Sequence, residues 1–259
     1  MAEDRLDEML FRQDRKQYGR IREEARSFRA QCGGLPMRDD IFSVIKNFAE
    51  KNHKALELFR FPIRDERLRA FSVVREGVVF CVINTALPLE TQIFAAAYEL
   101  FFIRRFIEGR LPSFSDNGSI YLKGCGDQQA QTFAALVLAL DSEIADRMEL
   151  YDMDRAQMRV RDIVRLADCF GLSYTAMTLR LYEGGFLEKN RAGSFLEREW
   201  EARQYIEDSG VCRRWTVRTE EVCFGELPVM LRENEDSGDA DGVWKCRERL
   251  EEIVSALRK

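Results

Sequence analysis

Histidine is almost missing from this chain: His53 is the only one in 259 residues. A single imidazole excludes a metal centre that needs two or three of them. The seven cysteines (Cys32, Cys81, Cys125, Cys169, Cys212, Cys223 and Cys246) include no CxxC pair. An odd, scattered set reads as free thiols in a reducing compartment, not as a disulfide framework. No run of eighteen apolar residues occurs, and the opening Met1-Ala2-Glu3-Asp4-Arg5 leads into no apolar signal core. Membrane insertion and export are therefore not expected, and the expected setting is cytoplasmic. A large net charge is also missing: −5 argues mildly against nucleic acid as a partner of the whole protein,. There is no internal repeat and no low-complexity tract.

What is present is the composition of an ordinary globular protein, 46% hydrophobic and 33% charged, in a chain long enough for a substantial core,. Apolar residues at helical spacing predict one long amphipathic helix from Glu3 to Gln31, then a second through Ile41, Val44, Ile45 and Phe48, with Asp39 or Asp40 as its cap,. Three short runs rich in β-formers, Ala55 to Phe61, Arg69 to Val74 and Val78 to Asn84, predict a small three-stranded antiparallel sheet,. Helices are predicted over Thr91 to Glu108, Asp127 to Leu140, Arg161 to Phe170 and Tyr174 to Tyr182, the last with Ser173 as N-cap,. Ser115 to Gly118 reads as a loop. Further on, Phe195 to Glu207 reads as helix, Cys212 to Cys223 alternates like a hairpin, Asn234 to Gly242 reads as an exposed loop, and Trp244 to Leu257 as a closing helix.

Three blocks carry a resemblance. The stretch Ile83-Asn84-Thr85-Ala86-Leu87-Pro88, followed by a helix holding Phe94 and Tyr98-Glu99-Leu100-Phe101-Phe102, resembles the hallmark of the ImmA/IrrE-type zinc metallopeptidases, Ile-Asn-x-x-Leu-Pro and then Phe-x-x-x-His-Glu-Leu-x-His. Asp127-Gln128-Gln129-Ala130-Gln131-Thr132-Phe133-Ala134-Ala135 is similar to the family's Glu-x-x-Ala-Asn-x-Phe-Ala-Ala helix, and Leu166 to Ser173 through Arg180-Leu181 to its following helix pair. The match spans roughly residues 35–190,. It implies an α+β, mainly helical, zincin-like domain there; the amphipathic helix of residues 1–34 before it and the hairpin-plus-helix extension over 191–259 after it lie outside the resemblance and are read from residue patterns alone.

The departures decide what the resemblance implies for chemistry. In HExxH two histidines at i and i+4 grip zinc, an acid from a later helix is the third ligand, and the glutamate activates the metal-bound water. Here Tyr98 and Phe102 stand at the two histidine positions, and Asp127 at the third ligand. Phe102 has no donor atom, and a neutral phenol is a poor ligand. Zinc is therefore expected to be lost, no cofactor is expected, and Glu99 is a vestigial general base. A soft-ligand site of Cys125, Asp127 and Tyr98 is the remaining metal alternative. On a helical wheel Glu99 is surrounded by Ala95, Ala96, Phe102, Ile103 and Phe106, so its carboxyl should be buried and paired or neutral,. Asp127 equally fits a plain helix cap.

The expectation is a catalytically inactive peptidase-like protein that binds a protein partner. The family's setting in bacteria and mobile elements implies a transcriptional repressor as that partner. Asn84, Glu99, Phe102, Phe106 and Gln131 are the candidate lining of the inherited groove. Two alternatives stay open. One is a divergent metallopeptidase with a non-histidine site around Asp127. The other is a DNA-binding regulator using the helix pair 161–182, in which Thr175, Thr178 and Arg180 are the only residues suited to base edges,.

Overall fold

The computed structural model describes residues 2–33, 37–75, 77–110, 119–122, 127–225 and 227–258. The chain is α+β and mainly helical. The predicted first helix is three: α1 (Ala2–Asp7), α2 (Leu10–Gln13) and α3 (Arg15–Gln31). The break is chemical, because the Asp14 side chain accepts the Gln17 N–H at 2.9 Å and caps α3,. The second predicted helix is α4 (Met37–Lys51), with non-helical backbone at Asp40 (φ −143°).

The strands fall where the β-formers cluster: β1 (Leu56–Phe61), β2 (Ala70–Arg75) and β3 (Val78–Asn84). Two more join them, β4 (Ser119–Leu122) and the two-residue β5 (Cys223–Phe224), in the order β4-β2-β3-β1-β5. The expected antiparallel three-stranded sheet is corrected to a mixed one. β2 and β3 form an antiparallel hairpin around Gly77 (φ +82°), but β1 runs parallel to β3. The connection over 62–69 carries β2 past the place beside β1, and β3 returns into the gap.

Helices α5 (Leu89–Ile107) and α6 (Gln128–Leu138) pack on each other, α5 against β2 and β3, and α6 against α3. Then follow α7 (Asp141–Leu150), α8 (Val160–Phe170) and α9 (Tyr174–Glu183). Gly171 (φ +62°) ends α8 in the left-handed region, and Ser173 accepts the Ala176 N–H at 3.2 Å to start α9, as its sequence predicts,. The predicted loop Ser115 to Gly118 lies outside the described residues.

The C-terminal part differs most. The expected helix over Phe195 to Glu207 is two, α10 (Lys189–Glu197) and α11 (Glu199–Ser209). The expected hairpin is instead α12 (Arg213–Thr216) followed by an extended strap that ends in β5. The expected loop Asn234 to Gly242 is mostly helical, since α13 (Leu227–Ser237) and α14 (Ala240–Arg258) leave only a turn at Gly238 (φ +74°). The strap crosses the start of α5: the Leu89 N–H donates to Val217 O at 3.0 Å, the Glu220 N–H to Thr85 O at 3.1 Å, and the Thr85 hydroxyl to Glu221 O at 2.8 Å. Buried Gln92 donates to Leu87 O and to Thr219 Oγ1, stitching helix to strap. One apolar core runs from Leu6 and Phe28 through Leu100 and Phe133 to Cys212 and Trp215, so the boundaries after residues 34 and 190 do not separate independent cores,. Among the described residues no helix is long and apolar enough to cross a membrane.

Candidate functional site

Asn84 ends β3, and the turn after it opens α5. Its side chain is fully employed. Oδ1 accepts the N–H groups of Ile63 (2.8 Å) and Ala86 (3.0 Å), and Nδ2 donates to the carbonyls of Ile63 (3.1 Å) and Leu68 (2.9 Å). Asn84 is wholly buried and pins the β1–β2 connection, so it lines no groove.

Glu99 lies one helical span further on, at the face of α5 turned to the sheet. Only 4% of it is exposed. Burial pushes its carboxyl up to about 7, and the nearby Ser72 hydroxyl on β2 pulls the other way,. Cys81, the register partner of Ser72 on β3, feels the same burial and the Glu99 carboxyl, and its thiol is raised well above the usual range. Glu99 Oε2 and Ser72 Oγ have no hydrogen-bond partner of good geometry among the described residues. This is a buried polar cluster under the sheet. A general base needs a reacting proton within reach, and a carboxyl 4% exposed gives a substrate little access,.

At the two positions that the sequence resemblance aligns with histidines stands a pair of rings. Tyr98 and Phe102 meet edge to face at 5.4 Å, and Phe102 packs edge to face on Phe101 at 5.2 Å. Phe102 is 3% exposed and belongs to the core, whereas Phe106 is half-buried at its margin. Asp127 is the N-cap of α6, its Oδ1 accepting the N–H groups of Gln129 (2.7 Å) and Ala130 (3.3 Å), and its charge faces Arg105. The only imidazole, His53, is exposed in the turn after α4. Cys125 lies outside the described residues. The groups present do not fit zinc, because Phe102 offers no lone pair. Among the described residues no three His, Cys, Asp or Glu side chains converge as metal ligands.

No family model, curated protein or solved structure matches the chain.

The groove residue that does reach open space is Gln131. It lines a cleft of about 260 Å³ between the α1–α2 segment, α6 and α9, into which Phe94 of α5 also projects. The floor holds Arg180 and Glu183, one turn apart on α9, with side chains 0% and 3% exposed. Arg180 Nε donates to Ala139 O at 2.9 Å and Nη2 pairs with Asp141, which Arg22 also holds at 2.6 Å. Burial pushes the Glu183 carboxyl up to about 7, opposed by Arg180 and reinforced by Asp141. Arg180 therefore points inward, and Thr178 is buried too, its hydroxyl donating to Tyr174 O at 2.8 Å. Two of the three side chains expected to suit base edges, Thr178 and Arg180, therefore lie inside the core. Sequence reasoning missed this cluster because its acid partner, Asp141, opens the unforeseen α7.

Proposed function

We propose that the chain is a non-catalytic, peptidase-like regulatory protein that binds a protein partner without cutting it. The observation that carries this reading is the filled helix face: Phe102 and Tyr98 meet edge to face where imidazoles would be needed, beside a Glu99 that is 4% exposed. A hydrolytic site needs an activated water beside an accessible scissile bond, and a carboxyl sealed beneath the sheet provides neither. The loss of ligating and accessible groups leaves recognition as the property such a scaffold can keep. The resemblance supports a zincin-like ancestry for the α5–α6 pair and a transcriptional repressor as the kind of partner, and the odd, scattered cysteines support a cytoplasmic setting,.

The test is metal content by elemental mass spectrometry on untagged protein purified without added metal, beside Asp127→Ala. Zinc below about a tenth of an equivalent in both supports the reading, whereas near-stoichiometric zinc that disappears in Asp127→Ala overturns it in favour of a divergent metallopeptidase.

A further inference from the structure

The strap over 217–224 covers the outer edge of β1, and it does so chiefly with main-chain atoms. Its ladder pairs Phe224 and Cys223 with Phe59 and Arg60 alone. The Gly225 N–H adds a bond to Leu58 O at 3.1 Å, and α13 then begins at Leu227, so no described strand residue stands opposite Leu56 or Glu57. Further back, Thr85, Leu89 and Gln92 of the body hold the strap through the Val217 and Glu221 carbonyls, the Glu220 N–H and the Thr219 hydroxyl. Thr85 and Gln92 are wholly buried, whereas residues 216–222 of the strap are exposed, Val217 and Val222 included. Phe224 is its buried anchor, set against Phe59 and Phe61 with ring centroids 6.1 and 5.7 Å away. That ring lies outside the main core, whose last member along the chain is Trp215.

A strand edge accepts any extended chain that offers matching N–H and carbonyl groups, and side-chain pockets choose among such chains. Most of the strap's bonds are of that general kind. Its specific contributions are the Phe224 ring and Glu221, whose half-exposed carboxylate meets Arg60 at 2.7 Å. Arg60 is itself fixed over the Phe42 ring at 4.0 Å, and its buried Nε has no hydrogen-bond partner among the described residues. Glu220 holds a left-handed backbone (φ +50°), a conformation that a continuous strand would not need,. We propose that β1 and the β3–α5 turn form the partner-binding edge, with the strap as its built-in, displaceable occupant. The partner supplies an extended segment with an acidic residue three positions before an aromatic one, as Glu221 stands before Phe224. Such a segment pairs antiparallel along the whole of Leu56–Phe61 and makes bonds that the two-residue β5 does not, while the strap leaves together with α13, which packs on β5. This rests on the partner-binding function proposed above, yet the two fail separately: zinc content decides whether the chain is non-catalytic, and strap exchange decides how it holds a partner.

The test uses the full chain, ¹⁵N-labelled, titrated with a peptide of residues 216–225 carrying Cys223→Ser. A tethered segment competes at an effective concentration on the order of millimolar, so the peptide should half-displace the strap near that concentration. The Leu89 amide and the Gln92 side-chain amide should shift saturably, and Val222 and Phe224 of the chain should move to random-coil positions. In a Phe224→Ala chain, whose anchor is lost, the same exchange should need at least about tenfold less peptide. Glu221→Arg, at a half-exposed position, weakens the strap against Arg60 if the alanine variant does not fold. A peptide that also carries Phe224→Ala should give no shift by about 5 mM. The proposal is overturned if the peptide moves no edge amide by about 5 mM in any of these chains, or if its alanine form binds as well. It is equally overturned if the edge shifts while Val222 and Phe224 keep their positions. A free chain that sediments as a dimer at about 0.1 mM, and as a monomer in Phe224→Ala, assigns the edge to a second copy and overturns it too.

Discussion

Glu99→Gln keeps the shape of the side chain and removes its proton equilibrium, so it measures directly how deeply that position is sealed. Burial holds the folded carboxyl at about 7 against an ordinary 4.5, and a rise of that size corresponds to about 3 kcal/mol. The direction follows from proton linkage. Well below pH 4.5 the folded and unfolded chains both carry the neutral acid, and the stability associated with the neutral form is fully present,. As pH rises towards 7 the unfolded chain ionises while the folded one resists, and that stability is lost until the folded carboxyl ionises too,. Glutamine has no proton to lose. Its amide nitrogen replaces an oxygen that already lacks a partner, so few hydrogen bonds change. The variant should therefore match the wild type near pH 4.5. It should exceed the wild type by about 3 kcal/mol near pH 8. Urea unfolding followed by tryptophan fluorescence, at intervals between about pH 4.5 and pH 8.5, measures the difference. A difference between variant and wild type that stays flat with pH would refute the burial argument, and with it the claim that Glu99 is closed to substrate.

Three further changes test the other structural claims. Arg180→Met leaves buried Glu183 without its cation and Asp141 with Arg22 alone, and should cost about 3–5 kcal/mol in urea unfolding,; a solvent-facing arginine would cost almost nothing. Asn84→Ala orphans the buried groups of the β1–β2 connection and should cost about 2–4 kcal/mol, with the sheet amides around Ile63 and Leu68 losing hydrogen-exchange protection first,. Chains cut after residue 225 and after residue 190 should behave differently. The first keeps the strap and Trp215 and gives a dispersed amide spectrum, and the second exposes the core under Ala202, Cys212 and Trp215 and does not.

Local signals were read well because they depend on local physics. The three strand runs, the α5 helix, and the Ser173 cap between α8 and α9 follow from β-former clustering, helical periodicity and hydroxyl capping, each complete within a few residues. The burial of Glu99 was legible for the same reason, since its helical neighbours are apolar. Asp127 as a cap was legible from its place before an apolar run. Strand order was not, because the β1–β3 parallel pairing depends on where the 62–69 connection lands. Ser72 and Cys81 reach Glu99 only once that sheet has formed. Arg180 looked like a surface cation because its partner, Asp141, is 39 residues away in sequence. Helix α7 gave little warning, since its N-cap, Leu140, has no side chain with which to cap.

The α5–α6 pair faces two environments, and that division bears on what the protein can do. Phe94 and Glu99 are five residues apart on α5, which turns them about 140° from each other around the helix. Glu99 consequently lies beneath the sheet while Phe94 looks into the cleft with Gln131 and Thr132 of α6. On the sheet side the polar groups are closed off, and their ionisation governs stability. On the other side the walls are open, and the charges at the floor are balanced among Arg22, Asp141, Arg180 and Glu183. The two faces should therefore respond separately: Glu99→Gln alters the pH dependence of folding, while Leu179→Trp, on the cleft side, leaves that pH dependence intact.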